Sequence, residues 1–314
     1  MNTCIQRRNI SDAVDYRPAR MGFVAAVLDS PGSFNIVNEL LEYSFVCACS
    51  GIVAGFVAGL FGVGGGIVIV PALYFVFGAL GMEPSHALAM AVATSLGTIL
   101  PTSISSLRAH HRLGNIEWHV VRLAVPSLVL GACAGALLVS FFAGEWLSLV
   151  FGSTLLVVAW LVLRKGRGAT GAVASAKLTP VVLRLAVFFL AVISALAGVG
   201  GGALGSPLLV MGGYSVHRAV GTAASFGAFI ALPSIILIAL FSVTPEGAPP
   251  YSLGLISLPA WALISVCTYL VAPFGAKFGK QLSARHLATV LAAFLMFIGV
   301  KMLYTGIAYY FALA

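Results

Sequence analysis

Charge is what this chain has least of. Asp and Glu together number 9, and Lys and Arg 17, in 314 residues, so 8% of the sequence is charged, against about 25% in a soluble domain. With 60% of residues hydrophobic, no single aqueous core could hide the apolar surface. That excludes an ordinary soluble enzyme or binding module and makes a lipid bilayer the solvent, each crossing needing about 20 apolar residues. The centres of the apolar runs also lack Asp and Glu, the usual hardware of a proton relay, which argues against an obligatory proton antiporter. No His-Glu-x-x-His, Ser/His/Asp or Cys/His set falls within the runs, so nothing speaks for a membrane-embedded enzyme. The five cysteines (Cys4, Cys47, Cys49, Cys133 and Cys267) have no zinc or redox spacing and read as small buried hydrophobes. Adjacent His110 and His111 make no coordination set by themselves. Neither a metal nor a cofactor is expected.

The net charge of +8 suggests nucleic acid only until the charges are located. Arg108, Arg112, Arg164, Lys165, Arg167, Lys177, Lys277, Lys280 and Arg285 fall between apolar runs. That is positive-inside bias rather than a nucleic-acid patch. Residues 1–43 hold Arg7, Arg8, Arg17 and Arg20 without a long apolar core, which predicts a polar tail and not a cleaved signal peptide. Lys301, in the last apolar run, is expected to snorkel to the interface.

What is present is a phrase said twice. Residues 60–73 read LFGVGGGIVIVPAL and residues 196–209 read LAGVGGGALGSPLL, an offset of 136 positions. Ala91-Val92-Ala93-Thr94-Ser95 is echoed by Ala219-Val220-Gly221-Thr222-Ala223, Gly114-x-Ile116 by Gly254-x-Ile256, and Gly135-Ala136 by Gly275-Ala276. The chain is a duplication: a first membrane repeat over 44–163, a basic, small-residue linker over 164–179, and a second repeat over 180–314. The loop at 108–118 is basic and its counterpart at 243–254 carries Glu246 alone, whereas the acidic stretch at 143–145 answers to the basic one at 276–285. Basic loops face the cytoplasm, so the two repeats are expected to be inverted. The expected fold is an all-α polytopic membrane protein of about four membrane segments per repeat. The apolar stretch at 180–213 is too long for one straight span and short for two, so it is expected to break at Gly200-Gly201-Gly202.

A helix that restarts after glycines presents free backbone N–H groups and the positive end of a dipole, a seat for an anion that needs no charged side chain. The restarts are expected at Ile67 and Ala203. Glycine also lets backbone approach a ligand closely, while close helix packing through small residues is the plainer account. The candidate substrate-binding set is therefore Gly62, Gly64, Gly65, Gly66 and Pro71 in the first half and Gly198, Gly200, Gly201, Gly202, Ser206 and Pro207 in the second. The hydroxyls of Thr94, Ser95, Thr222 and Ser225 join it, suited to donate to an oxygen-rich anion.

On these paired GVGGG phrases, their following prolines and the AVATS/AVGTA echoes, the chain over about 44–312 resembles the sulfite exporter TauE/SafE family. The resemblance implies an integral membrane carrier of about eight spans, in the bacterial inner membrane, exporting small sulfur-containing or organic anions such as sulfite or sulfoacetate. An anion channel, or a carrier of another small carboxylate or sulfonate, is the alternative. Export of an anion from a negative interior gains about 2.3 kcal/mol per charge per 100 mV, so membrane potential suffices as the driving force. The partners expected are the small anion and the lipid bilayer.

Overall fold

The structure, a computed structural model, describes residues 43–56, 66–141, 146–166, 179–278 and 284–313. The polar tail up to residue 42, most of the linker and residues 143–145 lie outside them. Ten helices carry the described chain: α1 Tyr43–Phe56, α2 Gly66–Ala79, α3 Pro84–Arg112, α4 Trp118–Phe141, α5 Trp146–Gly166, α6 Pro180–Leu196, α7 Gly201–Met211, α8 Val216–Phe241, α9 Leu258–Phe278 and α10 Ala284–Leu313. Four of them, α3, α4, α5 and α8, are long and apolar enough to cross a bilayer. Outward-facing Leu185, Phe189, Leu240, Phe297 and Tyr304 are exposed, as lipid contact requires. The protein is an all-α membrane protein, with one departure among the described residues: Ser252–Leu253 (β1) pairs with Ile256–Ser257 (β2) in a two-residue antiparallel ladder. This hairpin turns through Gly254 at φ +57.

The contacts recur between the halves. Helix α6 packs on α4, and α1 on α9; α2 packs on α3, and α7 on α8; α3 pairs with α8, and α5 with α10. Small residues make these seams close, as expected where lipid offers no hydrophobic drive between helices. A Cβ at Gly135 would lie 2.7 Å from that of Ala195, and one at Gly51 would lie 2.8 Å from that of Cys267. The α5–α10 seam is reciprocal: a Cβ at Gly152 would sit 2.8 Å from the Gly299 carbonyl, and one at Gly299 would sit 3.1 Å from the Gly152 carbonyl. Where α4, α6, α7 and α8 meet, Leu128, Val187, Leu209 and Phe226 form an apolar core.

The turns collect at two ends. Arg218, beside the α7–α8 turn, forms an ion pair with Glu117, beside the α3–α4 turn. At the other end, a Cβ at Gly247, in the loop after α8, would lie 3.8 Å from Met82 in the α2–α3 turn. The first end holds Arg108, Arg112 and Arg218; the second holds Glu83 and Glu246.

Candidate functional site

Helix α6 stops because of Gly198. The Val199 N–H donates to the Ser194 carbonyl at 3.0 Å and the Gly198 N–H to the Ala195 carbonyl at 3.3 Å, with Gly198 at φ +60. This is the Schellman pattern, whose left-handed position glycine fills without a Cβ penalty. Gly200 then caps α7 with extended backbone and no side-chain acceptor. The break lies at residues 197–200, and α7 opens at Gly201, two residues earlier than Ala203. The described part of α2 begins at Gly66, and where that helix starts, expected at Ile67, falls at the edge of the described residues. Gly62, Gly64 and Gly65 lie outside the described residues. Pro71 and Pro207 sit inside α2 and α7, where each withholds an N–H from the carbonyl four residues back.

The two glycine phrases meet on α3. The Ser95 hydroxyl donates to the Gly198 carbonyl at 2.9 Å, and both partners are fully buried or nearly so. Gly66 faces the same carbonyl: a methyl there would overlap it and lie 3.1 Å from Ser95 Oγ and from Ile99 Cδ1. Gly198 is closed in by Val70 and Val92, with a Cβ 2.9 Å from Val70 Cγ2 and 3.0 Å from the Val92 carbonyl. On the α7 side, a Cβ at Gly201 would be 2.7 Å from that of Phe226, so packing and close backbone approach both require these glycines.

Helices α3 and α8 run antiparallel, since Ser103 and Ile99 meet Gly227 while Thr222 reaches the turn beyond the end of α3. The crossing of the glycine phrases lies midway along this pair. From there α2 runs towards the N-terminus of α3, and α7 towards the N-terminus of α8. The described part of α2, from Gly66, and the start of α7 therefore lie in one region, from which the two helices diverge.

The hydroxyls divide. Thr94 Oγ1 accepts the Ser257 N–H at 3.1 Å, and Thr222 Oγ1 accepts the Glu117 N–H at 3.0 Å. Each threonine thus holds the residue after the Gly-x-Ile turn of the opposite half. At 1.5 Å per residue along the paired helices, Thr94 and Thr222 are about 20 Å apart, too far to touch one compact anion. Ser206 donates to the Gly202 carbonyl at 2.7 Å and Ser225 to the Thr222 carbonyl at 2.6 Å, hydroxyls returned to their own helices. Ala223, at the position matching Ser95, places its Cβ 3.1 Å from where one on Gly205 would stand. The Ser95 bond therefore belongs to one half only. The structure gathers Gly66, Ser95, Gly198 and the start of α7, and leaves the two threonines as ties between the halves. The Glu117–Arg218 pair was not singled out by the sequence. Glu117 being the lone carboxylate between residues 84 and 144 is the signal that could have revealed it.

The sequence model of a family described as sulfite exporter TauE/SafE matches residues 47–302. A probable membrane transporter protein of Haemophilus influenzae is 30% identical over 271 residues, covering 84% of this chain and 99% of that one. Another, from Methanocaldococcus jannaschii, is 31% identical over 255 residues, covering 81% and 92%. A probable membrane transporter protein of Bacillus subtilis is 31% identical over 121 residues, covering 38% and 40%. No solved structure matches the chain.

Proposed function

The chain belongs to the sulfite exporter TauE/SafE family, and from that membership we propose that it is a secondary transporter exporting a small sulfur-containing or organic anion, such as sulfite or sulfoacetate, from the cell. The single observation that carries the reading is the meeting of the two glycine phrases at Ser95, where α7 opens and from which α2, taken in this reading to restart there too, diverges. Both positive helix ends then act on one seat that holds no ionised side chain. In this reading the halves are inverted repeats, broken by glycines at the midplane, around an anion site between them. The basic end that carries Arg108, Arg112 and Arg218 faces the cytoplasm, and the end with Glu83 and Glu246 faces out. The protein sits in the plasma membrane, the inner membrane of a bacterium, and is not an enzyme.

The test is efflux from proteoliposomes loaded in turn with sulfite, sulfate, thiosulfate, sulfoacetate and acetate, with the potential clamped. Saturable efflux of one or two of these, faster as the interior is made more negative and unchanged when the pH gradient is collapsed, is the expected result. Unsaturable flux would mean a channel. A rate that follows only the pH gradient would remove the potential-driven mechanism.

A further inference from the structure

Helix α9 carries two buried polar groups that the account above leaves idle. The indole Nε1 of Trp261 and the hydroxyl of Ser265 are buried without a hydrogen-bond partner among the described residues. They stand one helical turn apart and so share a face of α9. That face lies along α3: Ser257 donates to Thr94, and one turn on the indole lies against Gly97, where a Cβ would be 2.6 Å from Trp261 Cδ1 and 3.0 Å from Nε1. The glycine admits the N–H edge of the ring against the α3 backbone. Thr94 and Ser257 are fully buried, and Thr94 adjoins Ser95, the residue that holds the glycine crossing.

An indole N–H donates only. A buried donor with no acceptor is expensive, and native proteins leave few of them; a phenylalanine would fill the same slot without that cost. A donor in such a place points to an acceptor that arrives with the substrate. Thr94 Oγ1 accepts from Ser257 and keeps its own proton to donate. Resting on the anion-carrier reading, we propose that the α3–α9 seam is one wall of the anion site. The Trp261 N–H donates to an oxyanion oxygen, and Ser265 and Thr94 are the neighbouring donors. The offset of 140 that relates Gly114 to Gly254 places Val121 and Val125 at the matching positions of α4. The other seam is apolar there, so the anion seat is one-sided rather than shared equally between the halves.

The experiment uses the purified full chain in detergent and in proteoliposomes, with sulfite and sulfoacetate as probes. Its four tryptophans give four indole N–H resonances in a ¹⁵N-labelled sample, and the one missing in Trp261→Phe identifies Trp261. That resonance is expected to move saturably on titration with the transported anion. Trp261→Phe is expected to raise the KM for efflux roughly 10- to 100-fold, the range for a hydrogen bond to a charged group. The anion-free melting temperature should be unchanged or higher, and Ser265→Ala should act in the same direction by a smaller factor. If the wild type transports the anion while the Trp261 resonance stays still and the KM of Trp261→Phe is unchanged, the seam is not the site and the carrier reading survives. If the phenylalanine variant melts well below wild type without anion, the indole is packing support and the proposal falls. No efflux of any anion from the wild type would overturn the carrier reading itself.

Discussion

Replacing Gly198 with alanine tests the crossing of the glycine phrases with the smallest possible perturbation, one methyl group. At φ +60 a side chain costs about 1–2 kcal/mol, because its Cβ crowds the following carbonyl. The methyl would also sit 2.9 Å from Val70 Cγ2 and 3.0 Å from both the Cα and the carbonyl of Val92. Two of these three atoms are α3 backbone, which cannot rotate away, so overpacking adds about 1–3 kcal/mol. A total of about 2–5 kcal/mol is a large part of the 5–15 kcal/mol that holds a typical protein folded. Relief would push the 197–200 turn off α3 and lengthen the Ser95 bond to the Gly198 carbonyl. The control is Gly78→Ala, in α2, where a Cβ would meet nothing within 4 Å and helix propensity favours alanine by up to about 1 kcal/mol. Thermal melts of detergent-solubilised protein and efflux from proteoliposomes should both fall for Gly198→Ala and hold or rise for Gly78→Ala. If Gly198→Ala melts and transports like wild type, neither the left-handed turn nor its contact with α3 matters, and the crossing is not the site.

Thr94→Val and Thr222→Val each strip an acceptor from a backbone N–H and should each lower stability by about 1 kcal/mol, with Thr→Ser tolerated. Because the two are about 20 Å apart, the double variant should be additive in melts, and strong coupling would refute the separation. Glu117→Gln should cost no more than about 1 kcal/mol, since the Arg218 side chain is 60% exposed, and the loss should shrink with salt. In a cysteine-free background, Arg112→Cys and Glu246→Cys should react with an impermeant thiol reagent from opposite faces of the membrane. Labelling from the same face would remove the inverted arrangement.

Where α6 gives way to α7 was legible only in part: the sequence pointed to Gly200-Gly201-Gly202, and the structure ends α6 at the left-handed Gly198 and opens α7 at Gly201. A run of glycines marks the weak stretch, but which of them takes the left-handed position shows only in the packing of Gly198 against Val70 and Val92. The restart of α7 falls inside the phrase rather than after it because a glycine can be the first residue of a helix as well as the last of a turn. The separation of Thr94 from Thr222 was hidden: the loop charges pointed to inverted halves, but how far each threonine stands from the middle of the α3–α8 pair, and so their distance of about 20 Å, is set by the packing. The pair β1–β2 is too short to leave a period. Trp261 looked like any aromatic in an apolar run; only its neighbour Gly97, on a helix more than 160 positions away in sequence, reveals the slot it occupies.

The exchange of first helices, α1 on α9 and α6 on α4, has a consequence for how the protein is made. Thr268, which donates to the Gly51 carbonyl, is synthesised 217 positions after it. At roughly 5–20 residues per second, α1 waits about 10–40 s in the membrane with its Gly51/Gly55 face unmatched, while α6 finds α4 already in place. The nascent first half therefore depends on lipid or an insertase to cover that face, and a chain cut at the linker would yield a first half whose opening helix never meets its partner.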